Sequence, residues 1–144
     1  MKKKLNIVMT TDENYIIPTM VTISSIVSSA NDNVIFDIYI LCKKELMNNP
    51  KNILGSLEKN NDRIKIKYIP IQDERLDKAV TMAHIPVASY YRLYISKFLL
   101  EDRCLFVDGD MIIKNDLQSI YDIDLEDYLS LIHISEPTRP RLIS

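Results

Sequence analysis

Four short apolar runs, each ending in polar turn residues, alternate with three stretches whose apolar residues recur every three or four positions. This alternation constrains the fold more than any other feature. Strands that are apolar on both faces need cover on both faces, and helical crossovers between parallel strands supply it. The runs are Leu5–Thr11, Val34–Cys42, Arg63–Ile69 and Cys104–Val107. In the third, Ile64, Ile66 and Tyr68 alternate with Lys65 and Lys67, the period of a half-buried strand near a sheet edge. Pro18 opens a helix carrying Met20, Ile23, Val27 and Ala30, and Leu46, Ile53, Leu54 and Leu57 mark a second that starts in earnest near Pro50. A third, Ala88–Leu100, has a core stripe of Tyr91, Ile95 and Phe98 and a polar stripe of Ser89, Arg92 and Ser96. Met111–Ile113 reads as extended, with Asp116 capping a short turn over Leu117–Tyr121. The order βαβαβαβ predicts an α/β sandwich with a mainly parallel sheet.

Composition narrows the partners. With 144 residues the chain suits one domain, and 18 basic against 20 acidic side chains leave no footprint for nucleic acid. No uncharged apolar run approaches the roughly 20 residues that span a bilayer, so membrane contact is expected to be peripheral at most. Met1-Lys2-Lys3-Lys4 is not followed by a small-residue cleavage site, and no export signal is read there. Cys42 and Cys104 are far apart inside apolar runs, which suits buried, reduced thiols and a cytoplasmic setting. From Leu131 the pattern changes: Pro137, Arg139, Pro140 and Arg141 crowd a segment with neither period. Leu131 to Pro140 resembles translated adapter or linker sequence. Residues 1–130 are therefore read as the folding unit and 131–144 as a non-native tail.

Ligands of parallel α/β sheets bind beyond the carboxyl ends of the strands. Two polar clusters sit there: Thr10-Thr11-Asp12-Glu13-Asn14-Tyr15 after the first strand, and Asp108-Gly109-Asp110 after the fourth. Two carboxylates spaced i, i+2 can converge on one hard cation, with the glycine expected to let the backbone turn sharply between them. Oxygen ligands select magnesium or manganese. The triplet alone is a weak signal, since a solvated turn reads the same way. Asp12 and Asn14 equally suit caps of the next helix, Arg92 a surface ion pair, and Tyr90, Tyr91 and Tyr94 packing positions. His84 and His133 receive no role.

Three segments taken together are more specific. Ile7-Val-Met-Thr-Thr-Asp-Glu-Asn-Tyr15, Ser89-Tyr-Tyr-Arg-Leu93 and Leu105-Phe-Val-Asp-Gly-Asp-Met-Ile-Ile113 resemble glycosyltransferase family 8 in wording and spacing, over roughly residues 4–130. The resemblance implies a GT-A, Rossmann-like nucleotide-sugar-binding fold and transfer of a hexose from a UDP-sugar with retention of configuration. It implies a Mn2+ or Mg2+ cofactor, and a glycan, lipopolysaccharide-type or protein-linked acceptor. Thr11, Asp12, Asn14 and Tyr15 match the loop that receives uracil and ribose, and Arg92 matches an arginine that reaches the donor's phosphate and sugar region. Asp108 and Asp110 match the metal ligands, whereas Gly109 stands where some relatives carry a side chain that touches ribose.

The family's third metal ligand, a histidine in a His-x-x-Gly-x-x-Lys segment, does not occur before Ser144. The chain is accordingly expected to be a truncated, inactive and poorly soluble N-terminal part. Two other functions stay open. One is a non-catalytic nucleotide-sugar-binding module. The other is a phosphohydrolase of the haloacid dehalogenase type, with Asp108 as nucleophile and Asp110 as general acid. That type places its Asp-x-Asp after the first strand, however, and here roughly a hundred residues come first.

Overall fold

A computed structural model of the chain describes residues 2–44, 48–72, 87–98 and 103–125. Strand β1 (Lys3–Thr10) is followed by α1 (Ile16–Ser29), β2 (Val34–Lys43), α2 (Asn48–Asn60) and β3 (Ile64–Ile71). A 3-10 helix (Val87–Tyr94) then runs into one α-helical turn, α3 (Ile95–Phe98), ahead of β4 (Leu105–Phe106) and α4 (Gln118–Tyr121). The strands form one sheet in the order β3-β2-β1-β4, with every pair parallel. Leu46, His84, His133 and the whole of 126–144 lie outside the described residues. Among the described residues no helix is long and apolar enough to cross a membrane.

Register explains the two layers. Ile7 pairs with Ile38 and Ile38 with Ile66, and side chains two apart along each strand share a face. Leu5, Ile7 and Met9 therefore join Phe36, Ile38, Ile40, Ile64 and Ile66 in a core closed by Ile23, Ile26 and Val27 of α1 and Leu54 of α2. Each such side chain, fully buried, contributes about 1.5–3 kcal/mol. On the opposite face Val8, Tyr39, Leu41 and Ile71 pack against Tyr91 of the 3-10 helix. The amino-terminal part of that face is charged: Lys67 donates to Asp37 at 3.1 Å, and Lys4 lies 3.6 Å from the same carboxylate. Among the described strands β3 is an edge, as its alternating pattern predicts. Pro70, which has no N–H to give a neighbour, stands opposite Cys42 there.

Two expectations are corrected. The helix expected over Ala88–Leu100 is mostly a 3-10 helix, and its core stripe shifts. Three residues per turn put Tyr91 and Tyr94 on one side over the sheet, while Phe98 is 42% exposed and stacks on Tyr94 at 6.5 Å. The fourth strand is shorter than expected, although the Val107 N–H still donates to Val8 O at 2.9 Å. The cysteines are free thiols, with Cys42 fully buried and Cys104 partly so, and burial pushes Cys42 up to about 11 and Cys104 upward.

Candidate functional site

The sheet reverses its winding beside β1, which has β2 on one side and β4 on the other. The carboxyl ends of β1 and β4 thus border the crevice at which doubly wound sheets bind ligands. Val8 stands opposite Phe106, so the Thr10–Tyr15 loop and the Asp108–Asp110 triplet leave the sheet side by side.

Gly109 joins the two. It is buried, and a Cβ there would lie 2.7 Å from Thr19 Oγ1 and 3.3 Å from Thr10 O. Its φ lies outside the left-handed region, so the reason expected from sequence, a sharp turn only glycine allows, is replaced by another. Glycine is required because β1 and α1 approach the backbone too closely for any side chain. Asp108 and Asp110, on either side of it, are exposed. Among the described residues neither carboxylate makes a hydrogen bond or ion pair.

Beyond the triplet the backbone is held by hydroxyls of α1. Thr22 Oγ1 accepts the Met111 N–H at 3.1 Å, and its own proton reaches Met111 O at 2.8 Å. Ser25 Oγ accepts the Ile113 N–H at 2.9 Å. Sequence reasoning missed this arrangement. The readable signal is a helix without a single charged residue, Ile16–Ser29, carrying Thr19, Thr22 and Ser25 three apart, with both threonines fully buried. Such hydroxyls can give their protons to carbonyls of their own helix, as Thr22 also does to Pro18 O (3.1 Å) and Ser25 to Thr22 O (2.7 Å), and still accept a backbone N–H from outside it.

In the first loop, Asp12 accepts the N–H groups of Asn14 (2.9 Å) and Tyr15 (3.1 Å) on one carboxylate oxygen, folding the turn that leads into α1. The N-cap of α1 is Tyr15, with no side-chain cap hydrogen bond, so neither Asp12 nor Asn14 caps the helix as the sequence allowed, and Asp12 instead closes the turn ahead of it. Asn14 and Tyr15 are exposed, Tyr15 by 41%. Thr11 is buried, and its hydroxyl accepts from Thr19 at 3.2 Å, so it supports the loop from beneath. Arg92 is exposed beside the anchoring Tyr91, and among the described residues its guanidinium makes no hydrogen bond or ion pair. The ion-pair alternative for Arg92 thus finds no carboxylate among them. Tyr91 and Tyr94 belong to the packed face, as their default reading has it.

Known proteins share the sequence pattern and the fold. The family model described as Glycosyl transferase family 8 matches residues 6–134. Glycosyltransferase GlyF of Streptococcus pneumoniae serotype 4 is 32% identical over 124 residues, covering 85% of this chain and 30% of GlyF. Among solved structures, the bifunctional glycosyltransferase WbbM superposes with a TM-score of 0.68 at 25% identity, over 88% of this chain and 22% of that one. The galactosyltransferase LgtC, solved with donor and acceptor sugar analogues, superposes with a TM-score of 0.64 at 21% identity, over 85% of this chain and 44% of its own. The chain thus spans less than half the length of these relatives, and its four parallel strands correspond to part of their GT-A fold. The family match runs over well more than half of the sequence, and on that ground the chain belongs to glycosyl transferase family 8.

Proposed function

We propose that this chain forms the donor-binding part of a metal-dependent hexosyltransferase that takes a UDP-sugar and retains the configuration of the transferred sugar. The observation that carries the reading is the pair Asp108 and Asp110: two exposed carboxylates without protein partners among the described residues, set beside the β1 loop at the switch point. Leaving two like charges uncompensated there does nothing for folding, and it suits a cation. Both ligands would be carboxylate oxygens, the donor type that suits hard cations such as Mg2+ and Mn2+. When bound, the ion would offset the charge that builds on the departing diphosphate.

The other residues bind and orient. Tyr15 offers an exposed aromatic face to a base, and Asn14 an exposed amide for hydrogen bonds. Asp12 keeps one carboxylate oxygen outside the turn bonds it makes, free for a ribose hydroxyl. Arg92 supplies a forked cation suited to phosphate oxygens. A glycan acceptor, of lipopolysaccharide type or protein-linked, and a cytoplasmic setting belong to the same proposal. The phosphohydrolase alternative is not favoured by family membership, and nothing in the site favours a pure binding module over an enzyme part.

Isothermal titration of the purified chain with UDP in the presence of Mn2+ tests the reading. Binding is expected, and Asp108→Asn with Asp110→Asn is expected to abolish it while leaving stability within about 0.5 kcal/mol of the parent, as for exposed, unpaired side chains. Heat of binding that persists in the double variant would refute the assignment.

A further inference from the structure

The carboxylates at Asp108 and Asp110 follow a strand of only two residues, and the backbone after them has no strand hydrogen bonds of its own. Upstream, the segment is fixed to β1 through the Val107 N–H and Val8 O. Downstream, its first hydrogen bonds are to Thr22, whose hydroxyl accepts the Met111 N–H at 3.1 Å and shares its one proton between Met111 O at 2.8 Å and Pro18 O of its own helix at 3.1 Å. Met111 directly follows Asp110, so the Thr22 hydroxyl fixes the peptide that carries the second carboxylate. Thr22 is fully buried and its helix is part of the main core, which gives the tether a rigid base.

We infer that Thr22 is a positioning residue for the cation site: its hydroxyl, through both polar groups of Met111, sets where the Asp110 carboxylate stands relative to Asp108. The inference rests on the reading of Asp108 and Asp110 as metal ligands. A carboxylate pair grips a cation only when both oxygens are held at the required separation, and groups that orient ligands typically govern affinity by 10–100-fold. Ser25 provides the comparison, because it makes one similar bond to Ile113, three residues beyond Asp110.

The test is Mn2+ affinity, read by electron paramagnetic resonance of the free ion in the presence of UDP, alongside melting temperature, for the parent chain and for Thr22→Val, Thr22→Ser and Ser25→Ala. Thr22→Val keeps the volume and removes the hydroxyl, and it is expected to weaken Mn2+ binding about tenfold or more. Thr22→Ser, which restores the hydroxyl, is expected to bind within about twofold of the parent, well short of that loss. Ser25→Ala is expected to lower the melting temperature without the tenfold loss of affinity. If the parent binds Mn2+ and Thr22→Val binds as tightly, the inference is overturned while the metal-site reading stands. The same holds if Ser25→Ala or Thr22→Ser weakens binding as much as Thr22→Val, since the effect would then follow general loosening. If Thr22→Val does not fold, Thr22→Ala takes its place: a loss of about tenfold or more with Thr22→Ser and Ser25→Ala near the parent supports the inference, and an affinity near the parent's overturns it. A parent chain that binds no Mn2+ overturns both readings together.

Discussion

Gly109→Ala is expected to destabilise the fold by about 1–2 kcal/mol. The added Cβ would sit 2.7 Å from Thr19 Oγ1, about 0.7 Å inside the 3.4 Å at which ordinary contact begins, and 3.3 Å from Thr10 O. Thr19 has little room to yield. It is fully buried, β-branched in a helix, and its hydroxyl is engaged with Thr11 at 3.2 Å, so a rotation that removes Oγ1 swings the methyl instead. The backbone must shift, and overpacking of this kind costs about 1–3 kcal/mol. The alanine returns about 0.4–1 kcal/mol by restricting the unfolded chain. For a chain of this length the net corresponds to a fall in melting temperature of about 3–8 °C. Urea unfolding followed by circular dichroism measures it, and a double-mutant cycle assigns it. In a Thr19→Ala background, which lacks the offending oxygen, Gly109→Ala is expected to cost at least about 1 kcal/mol less, within the range for residues in contact. A Gly109→Ala variant within about 0.5 kcal/mol of the parent, or equal costs in the two backgrounds, would refute the steric account.

Two more outcomes follow from the hydrogen bonds and the buried thiol. Asp116 accepts from the Asn31 backbone N–H (3.1 Å) and side-chain amide (2.6 Å) on one oxygen and from the Gln118 N–H (2.9 Å) on the other, so Asp116→Ala is expected to cost about 1–2 kcal/mol in urea unfolding without weakening Mn2+ binding. No loss of stability would show that these partially exposed bonds only exchange with water. Burial raises the Cys42 thiol from about 9 to about 11, so in a Cys104→Ala background it is expected to resist a thiol reagent at pH 8 until the chain unfolds. Because the folded value is the higher one, the corresponding stability is complete below about pH 9 and is lost as pH rises through about 11. Modification of the native protein at the rate of an exposed thiol would contradict both statements.

Much of the sheet was legible because burial on both faces leaves a simple trace. Leu5–Thr11 and Val34–Cys42 are largely apolar, broken by Asn6 and Asp37, because each becomes an interior strand among the described ones, and Lys65 and Lys67 alternate with isoleucines because one face of β3 is packed on the core while the other lies on the charged part of the sheet. The third helix was harder to read. Tyr91, Tyr94 and Ile95 fit both a 3.6-residue and a 3-residue period, and only contact with Val8, Tyr39 and Leu41 selects the tighter winding. At the site, the acidic and polar residue types were visible, but their support was not. Gly109 is compatible with either a strained turn or a close approach, and the two differ only in what lies above it. The roles of Thr19, Thr22 and Ser25 depend on a segment some 90 residues away, which helical spacing alone does not reveal.

The geometry of that support also explains why it is local. Three helix residues advance about 4.5 Å along α1, whereas two extended residues advance about 6.6 Å. The hydroxyls at Thr22 and Ser25 can therefore meet the amides of Met111 and Ile113 only if the segment crosses the helix obliquely, and the match cannot continue for long. It does not: Thr22, Ser25 and Ser29 all turn a hydroxyl to a carbonyl of their own helix (Pro18 O at 3.1 Å, Thr22 O at 2.7 Å, Ile26 O at 3.1 Å), but the first two also accept an amide of the segment, and the next link is Asp116 with Asn31, beyond the end of the helix. The hydroxyl contacts are thus confined to the few residues that follow the carboxylates.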